Sequence, residues 1–222
     1  VLNYDGCLEN KRYTVNWYGG WADNGGSLEF NATDDGRNVV EIYVPELVTD
    51  QVEKETEEGI DYVDVNVAGT GTGNDWERVL KFDGLQIKPN TIYRVKVVAK
   101  GDITEAKENN RVMQIAMMRG DENCDMPWVA ENVDGNGKQE FRHNIASLDP
   151  DEYTTNTAMF YYTSDELQQK YYADYNKSIE MPDNQFLRLS FNGVGTFWLD
   201  DVVVEEAAIK GVTFNGDALV VD

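Results

Sequence analysis

Apolar and polar residues alternate with a period of two through most of this chain, and this pattern limits the fold more than any other feature. Val63, Val65 and Val67, for example, alternate with Asp64 and Asn66. A β-strand with one buried and one solvated face produces this alternation. The pattern recurs in 93–99, 113–117, 141–145, 187–191 and 197–204, with Gly, Asn and Asp clusters between segments. Strands of this length joined by such turns predict an all-β fold, an antiparallel β-sandwich.

Two segments depart from the alternation. Residues 46–58 are acidic and lack a clear apolar stripe, so they are predicted to be a loop or a solvated short helix. Residues 164–176 are predicted to form a short helical insertion between strands, with Ser164 as its N-cap. Neither an internal repeat nor a linker-like segment occurs, which favours one domain over residues 1–210. Residues 211–222 would then be a C-terminal extension or the start of a following element.

The charge of the chain excludes several classes of partner. Its 222 residues include 41 Asp and Glu against 19 Lys and Arg, a net charge of −22. Such a chain repels nucleic acid and anionic membrane surfaces, which leaves neutral ligands, cations and basic partners. No segment approaches the roughly 18 to 20 consecutive apolar residues of a membrane span. The chain starts at Val1 without a signal peptide and ends inside an apolar run, so we expect it to be a fragment of a larger protein.

Two cysteines, Cys7 and Cys124, are too few for a disulfide scaffold, and their spacing fits neither a zinc knuckle nor a redox pair. A bridge between them would close a loop of 117 residues and stabilise the fold by about 4 to 5 kcal/mol in the chain-entropy model. The alternative, two free buried thiols, is the one that the sequence favours.

The common catalytic motifs are missing from the sequence. It has no Gly-x-Ser-x-Gly elbow, no phosphate-binding Gly-rich loop, no His-Glu-x-x-His and no Glu-x-Asp-x-x-Glu run. The single histidine, His143, shares the strand parity of Phe141 and Ile145, so it is predicted to be a hydrogen-bonded core residue rather than a base. The sequence therefore offers no positive sign of an enzyme, although two suitably spaced carboxylates would suffice for a glycosidase.

Aromatic residues make up 11% of the chain and suit the binding of sugars. A sugar ring stacks its C–H face on a flat aromatic ring, while its hydroxyls need polar partners. Trp76 stands where the polar loop Gly73-Asn74-Asp75 enters a strand, and Trp128 follows Asp125-Met126-Pro127 in a loop. Each of these residues could equally fill the core. Together they favour a ligand-binding surface.

Strand parity indicates which polar residues would share a face with Trp76. If Met113, Ile115 and Met117 face the core, Gln114 faces outward, and so do Arg142 and Asn144. Together with Trp76, these side chains could form a concave polar cleft. The alternative is that they are ordinary solvated positions of a sheet with one buried face.

Three segments give the chain a resemblance to a known family. Asp75-Trp76-Glu77-Arg78, the run from Ile87 to Val95 and the run from Gly195 to Val204, with Trp198-Leu199-Asp200-Asp201-Val202, resemble carbohydrate-binding modules of families 4, 9 and 22. The resemblance implies a galactose-binding-like β-jelly roll, usually appended to a secreted polysaccharidase, which holds a xylan or β-glucan chain in a cleft on one sheet. Arg78 stands where glutamine is common, and the Tyr-rich segment 161–175 is an addition to the family pattern.

The same resemblance implies a structural calcium ion between the first and last strands. Asp5-Gly6-Cys7-Leu8-Glu9 is similar to the opening element of the family, and Glu9 with Asp200 or Asp201 would supply oxygen ligands. The alternative is that the adjacent aspartates only block pairing at a sheet edge.

Taken together, these observations predict a secreted or cell-surface, non-catalytic carbohydrate-binding module. It would bind a neutral plant polysaccharide of the xylan or β-glucan type and target an attached glycoside hydrolase, without nucleic-acid binding or membrane insertion. The alternatives are a surface adhesion or structural domain that binds a protein partner, and a jelly-roll glycoside hydrolase. No residue is predicted to be catalytic, and the metal ligands would be Glu9, Asp200 and Asp201. The predicted carbohydrate-binding residues are Trp76, Glu77, Arg78, Gln114, Trp128, Arg142 and Asn144.

Overall fold

A computed structural model describes most of the chain. It covers residues 2–4, 14–16, 26–46, 49–56, 59–66, 78–106, 111–120, 125–131, 138–175, 180–207, 212–214 and 219–221. The described residues form eighteen strands and one helix. In chain order these are β1 (Leu2–Tyr4), β2 (Thr14–Asn16), β3 (Ser27–Asp34), β4 (Arg37–Val44), β5 (Thr49–Thr56), β6 (Gly59–Asn66), β7 (Val79–Phe82), β8 (Thr91–Ala106), β9 (Met113–Gly120), β10 (Asp125–Pro127), β11 (Val129–Glu131), β12 (Lys138–Glu140), β13 (Arg142–Ile145), β14 (Thr154–Tyr162), α1 (Asp165–Tyr175), β15 (Gln185–Phe191), β16 (Gly193–Ala207), β17 (Val212–Phe214) and β18 (Leu219–Val221).

Two six-stranded antiparallel sheets contain most of these strands. The first sheet has the order β14-β8-β16-β4-β3, and β1 also pairs with β16. The second sheet has the order β10-β9-β15-β7-β2, and β13 also pairs with β9. Three separate hairpins, β5–β6, β11–β12 and β17–β18, complete the described strands. The prediction of an all-β, antiparallel β-sandwich is therefore confirmed.

The core lies between the two sheets. One continuous cluster joins Val95 and Phe197 of the first sheet to Met113, Ile115 and Met117 of the second sheet. Burying these side chains against one another is what drives two sheets to stack. The predicted parity of β9 is confirmed, because its odd-numbered residues Met113, Ile115 and Met117 all belong to this cluster.

Helix α1 begins where the sequence predicts it. The Ser164 hydroxyl accepts a hydrogen bond from the Leu167 amide at 3.1 Å, which is the usual N-cap contact. Asp165 and Glu166 place negative charge in the first turn, where it stabilises a helix. The helix packs on the second sheet through Tyr172, which is buried against Met126 of β10. Within the described residues, no helix has the length and apolar character that a membrane span requires.

The prediction of a loop or short helix for residues 46–58 is wrong. Residues Thr49–Thr56 form strand β5, which pairs with β6 in a two-stranded hairpin. Local contacts hold this hairpin: the Tyr62 hydroxyl donates to a Glu53 carboxylate oxygen at 3.1 Å, and the Thr56 hydroxyl donates to the Gly59 carbonyl at 2.8 Å. The side chains of residues 51–56 are exposed, so β5 needs no apolar stripe, and the alternation appears only in β6, with Val63 and Val65. The domain boundary placed at residue 210 stays a prediction.

Candidate functional site

The second sheet has an outer face, which points away from the core and consists of the alternate residues of β7, β9, β13 and β15. Residues directly opposite each other on neighbouring strands share a face, so the register defines two rows across it. The first row is Asn144, Gln114, Ser190 and Val79. The second row is Arg142, Ala116, Arg188 and Lys81. These two rows are mostly polar, while Met118 and Phe186, the next pair on the same face, form a buried apolar cluster with Ala116.

The centre of the first row holds hydrogen-bonding atoms without partners. Gln114 is 1% exposed, and its side-chain amide donates to Oδ1 of Asn144 at 2.8 Å. Oε1 of Gln114 and Oγ of Ser190, which lies opposite on β15, are buried and have no partner in the described structure. These two atoms therefore make no hydrogen bond with the rest of the described structure, whereas most buried polar groups are paired.

The second row is cationic but paired with carboxylates. The Lys81 ammonium lies 2.6 Å from a carboxylate oxygen of Asp125 and 4.7 Å above the centre of the Phe186 ring. Arg142, which is exposed, forms an ion pair with Glu140. These pairs offset two of the three cations in the row, and the third, Arg188, is buried.

The structure brings three of the predicted carbohydrate-binding residues together. Gln114, Arg142 and Asn144 lie on adjacent strands of the outer face, with Arg142 and Asn144 exposed. Arg78 is buried immediately before β7, and its carbonyl accepts the Phe191 amide at 2.9 Å. Trp76 and Glu77 lie outside the described residues, so their roles stay predictions. Cys7 and Cys124 also lie outside them.

Trp128 is not at the surface, and the prediction that a sugar stacks on it is wrong. The side chain is fully buried in the main core, where its ring lies 5.7 Å from Tyr93 and 4.8 Å from Tyr162. The backbone around it is fixed as well. The Trp128 amide donates to the Met117 carbonyl at 2.9 Å, and the buried Gln168 side chain of α1 donates to Pro127 and accepts from Val129. A ring enclosed in this way offers no face to a ligand.

The prediction of a core position for His143 is also wrong. The register places it opposite Ile115, on the core side of β13, as the parity argument requires. Its side chain is nevertheless exposed. Because β13 is an outer strand of the second sheet, a residue on its core side can lie beyond the cover of the first sheet.

The two aspartates predicted to bind calcium lie at a β-bulge of β16. The register against β8 shifts between Leu199 and Asp201, so both Asp200 and Asp201 avoid the core. Asp200 forms an ion pair with Arg37, which a calcium ion would have to displace. Glu9 lies outside the described residues, and the part of the chain that the structure describes contains no group of three or more His, Cys, Asp or Glu arranged to hold a metal. The calcium site stays a prediction.

Sequence reasoning missed a buried guanidinium that anchors α1 to the second sheet. Arg119, at the end of β9, donates to the Tyr162 hydroxyl at 2.8 Å, to Asp165 at 2.7 Å and to the Pro182 carbonyl at 2.7 Å. The Tyr162 hydroxyl in turn donates to the Asp165 carboxylate at 2.6 Å. This hydrogen bond, together with the charge of Arg119, lowers the pKa of Asp165 below its usual value, while burial raises the pKa of Tyr162. Arg119 has the same strand parity as Met113, Ile115 and Met117, so a cation on the core side of β9 was the signal in the sequence.

The lowered pKa of Asp165 predicts a specific loss of stability in acid. The folded state binds a proton at Asp165 less readily than the unfolded state, so the stabilisation is complete above the unfolded pKa near 3.9 and is lost as the pH falls through the folded value. Asp165→Asn should reduce the free energy of unfolding at pH 7 by about 0.5 to 1 kcal/mol, since most of the carboxylate is exposed to solvent. Urea unfolding at several pH values measures this difference, which should shrink below about pH 3.

The neighbouring acid provides the control for this prediction. Glu166 lies in the same helical turn, and its side chain forms no ion pair or hydrogen bond with any described residue, so Glu166→Gln should lose only its interaction with the helix dipole, about 0.3 kcal/mol at pH 7. If Asp165→Asn loses as much unfolding free energy below about pH 3 as it does at pH 7, the carboxylate charge does not anchor the helix.

Comparisons with known proteins complete the description of the site. No protein-family model matches the sequence, and no curated protein matches it. Similar solved structures include a CBM4 carbohydrate-binding module (TM-score 0.47, 11% identity, 88% of this chain and 86% of that one). They also include a putative sugar binding protein from Bacteroides thetaiotaomicron (TM-score 0.48, 12% identity, 88% of this chain and 87% of that one). A third is the N-terminal CBM22 tandem domain of Xyn10C from Paenibacillus barcinonensis (TM-score 0.46, 10% identity, 92% of this chain and 45% of that one). Carbohydrate-binding modules, the kind that the sequence motifs indicate, are thus among the solved structures that this chain resembles.

Proposed function

We propose that this chain is a non-catalytic carbohydrate-binding module that binds a neutral plant polysaccharide, of the xylan or β-glucan type, on the outer face of its second sheet. In the same proposal, the module belongs to an exported multidomain protein and targets an attached glycoside hydrolase. The observation that carries the proposal is the polar edge of that face, where the exposed side chain of Asn144 accepts a hydrogen bond from Gln114 and lies on the same strand as the exposed Arg142.

Sugar hydroxyls have the chemistry that these side chains need. A hydroxyl both donates and accepts, so it can pair with the side-chain amide of Asn144 and with the guanidinium of Arg142. Asn144 and Arg142 lie at the exposed end of the two rows, where they would contact the bound polysaccharide. Trp76 would stack on a sugar ring and Glu77 would accept hydroxyl hydrogens, as the family resemblance implies.

The charges of the face favour a neutral polysaccharide over an anionic one. Lys81 and Arg142 are already paired with Asp125 and Glu140, so neither requires a carboxylate from the ligand. The net charge of −22 adds a long-range repulsion against polyanions. Pectin-like chains should therefore bind more weakly than xylan or mixed-linkage glucan.

Affinity electrophoresis in gels that contain xylan, mixed-linkage glucan, mannan, galactan or pectin tests this proposal. We expect xylan or β-glucan to retard the wild-type chain, and Asn144→Ala or Gln114→Ala to weaken the interaction about tenfold, as the loss of one or two hydrogen bonds does. Gln86→Ala is the matched control, because Gln86 is an exposed amide in the loop after β7 and lies off the outer face. It should leave the retardation unchanged.

Trp76→Ala extends the same experiment to a residue outside the described part of the chain. It should abolish retardation while leaving the melting temperature nearly unchanged. Retained binding with a large loss of stability would instead make Trp76 a core residue. If no polymer retards the wild-type chain, the carbohydrate-binding proposal fails.

One observation bears on the second candidate function, a surface adhesion domain. The β5–β6 hairpin exposes Ile60 and Tyr62, at 62% and 58% of their surface, as well as Val52. The register puts Tyr62 opposite Glu53, so Val52 lies on the other face of the hairpin from Ile60 and Tyr62. The exposed apolar residues therefore do not form one continuous patch, which makes adhesion the weaker candidate.

A further inference from the structure

A pocket lies beside helix α1, at the end of strand β14, and is separate from the outer face of the second sheet. We call it the helix pocket. Its volume is about 420 Å³, near the lower end of the range for small-molecule sites. None of its lining residues belongs to the two rows of the outer face, so the two surfaces share no residue. The lining residues are Ala130, Tyr161, Thr163, Ser164, Glu166, Leu167 and Lys170.

Two opposite charges line the helix pocket without pairing. Glu166 and Lys170 are four residues apart on α1, with the glutamate first, which is the arrangement that normally forms an ion pair on a helix. Here neither side chain makes an ion pair or a hydrogen bond with any residue in the described part of the chain. Both therefore keep their full hydrogen-bonding capacity for a ligand, one as an acceptor and the other as a donor.

The remaining lining combines a fixed aromatic ring with apolar carbon. The Tyr161 hydroxyl donates to Oδ1 of Asn90 at 3.1 Å, which holds the ring at the pocket wall. Leu167 and Ala130 add apolar surface. The hydroxyl of Ser164 is already used, because it caps the helix through the Leu167 amide. The pocket thus presents an aromatic face, one acceptor and one donor.

We propose that the helix pocket is a second ligand site, which binds a neutral pyranose as a free monosaccharide or as the end of a glycan chain. The aromatic ring of Tyr161 suits the C–H face of a pyranose. Glu166 would accept from one ring hydroxyl and Lys170 would donate to another. Because the two charges cancel, the pocket favours a neutral sugar over a uronic acid or an amino sugar. The site does not depend on polysaccharide binding at the outer face.

The test is an NMR titration of the 15N-labelled full chain with the methyl glycosides of xylose, glucose, galactose and mannose. At least one glycoside should shift the backbone amides of Tyr161, Thr163 and Leu167 in a saturable way. Lys170→Ala and Glu166→Ala should each weaken that binding at least about fivefold, the factor expected for one hydrogen bond to a charged group. Alanine is the best helix former, so these exposed substitutions should leave α1 folded.

Matched controls separate this inference from the proposed function. Gln169→Ala changes an exposed residue of the same helix that does not line the pocket, and it should leave the glycoside affinity unchanged. Asn144→Ala should also leave it unchanged, while Lys170→Ala should retain wild-type retardation in polysaccharide gels. The inference is overturned if no glycoside shifts these amides, or if the shifts persist in both pocket variants. If Asn144→Ala loses gel retardation but keeps its glycoside affinity, the outer face binds polysaccharide and the helix pocket binds the glycoside independently of it.

Discussion

Replacing Trp128 with alanine should reduce the free energy of unfolding by about 3 to 5 kcal/mol, the range for removing a large aromatic side chain from a core. The indole is fully buried and packs against the rings of Tyr93 and Tyr162. Its removal leaves a cavity that the surrounding strands cannot close, because Gln168 and Met117 fix the backbone on both sides. Urea unfolding followed by circular dichroism measures the loss.

Trp128→Phe is the control for this prediction. The indole N–H is buried without a hydrogen-bond partner in the described structure, so phenylalanine sacrifices no hydrogen bond and keeps most of the ring contacts. Trp128→Phe should reduce the free energy of unfolding by less than half as much as Trp128→Ala does. If Trp128→Ala instead unfolds within about 1 kcal/mol of the wild type and abolishes polysaccharide retardation, Trp128 is a ligand-binding residue after all.

The sequence predicted those features that depend on local periodicity. The alternation in 113–117 assigned Met113, Ile115 and Met117 to the core, and it therefore assigned Gln114 to the outer face. The cap and spacing after Ser164 predicted α1, which the Ser164–Leu167 hydrogen bond confirms. Both predictions succeeded because side-chain direction in a strand or helix is a property of the backbone repeat itself.

Burial was harder to predict, because it depends on which other elements lie above a residue. Trp128 follows Pro127 in a segment that reads as a loop, yet its ring is buried against Tyr93 and Tyr162 of the first sheet. His143 has the parity of a core residue, yet it lies on an outer strand and is exposed. No pattern within a few residues of either position indicates the arrangement of the sheets.

Burial on the outer face was equally hard to predict, because polar residues there are more buried than strand parity suggests. Parity placed Gln114 on this face, and a solvated position is the ordinary expectation for glutamine there. Gln114 and Ser190 are instead buried, and Oε1 of Gln114 and Oγ of Ser190 have no hydrogen-bond partner in the described structure. The helix pocket could not be predicted at all, since it needs the end of β14 and the start of α1 to be placed together.

Replacing Gly195 with alanine should destabilise the fold by about 3 kcal/mol, by adding backbone strain to a steric overlap. Gly195 has a φ of +136°, a conformation that only glycine adopts readily. A Cβ atom there would lie 2.1 Å from the Asp102 carbonyl oxygen and 3.0 Å from the Ile103 Cα. Both are backbone atoms of β8, so no side chain can turn away to relieve the overlap. Urea unfolding of the purified variant measures the effect.

The β-bulge at this position explains why the strand cannot simply shift. The register between β16 and β8 changes between Val194 and Gly195, and the Thr104 hydroxyl donates to the Val194 carbonyl at 3.3 Å. Moving β8 away would break the central pairing of the first sheet, on which the core depends. Gly84→Ala is the control, because Gly84 also has a positive φ, +74°, but a Cβ there would meet no atom within 4 Å. It should cost only about 1 kcal/mol, the penalty of the left-handed conformation alone. Equal losses in the two variants would mean that strain, and not the close approach of β8, makes glycine necessary at position 195.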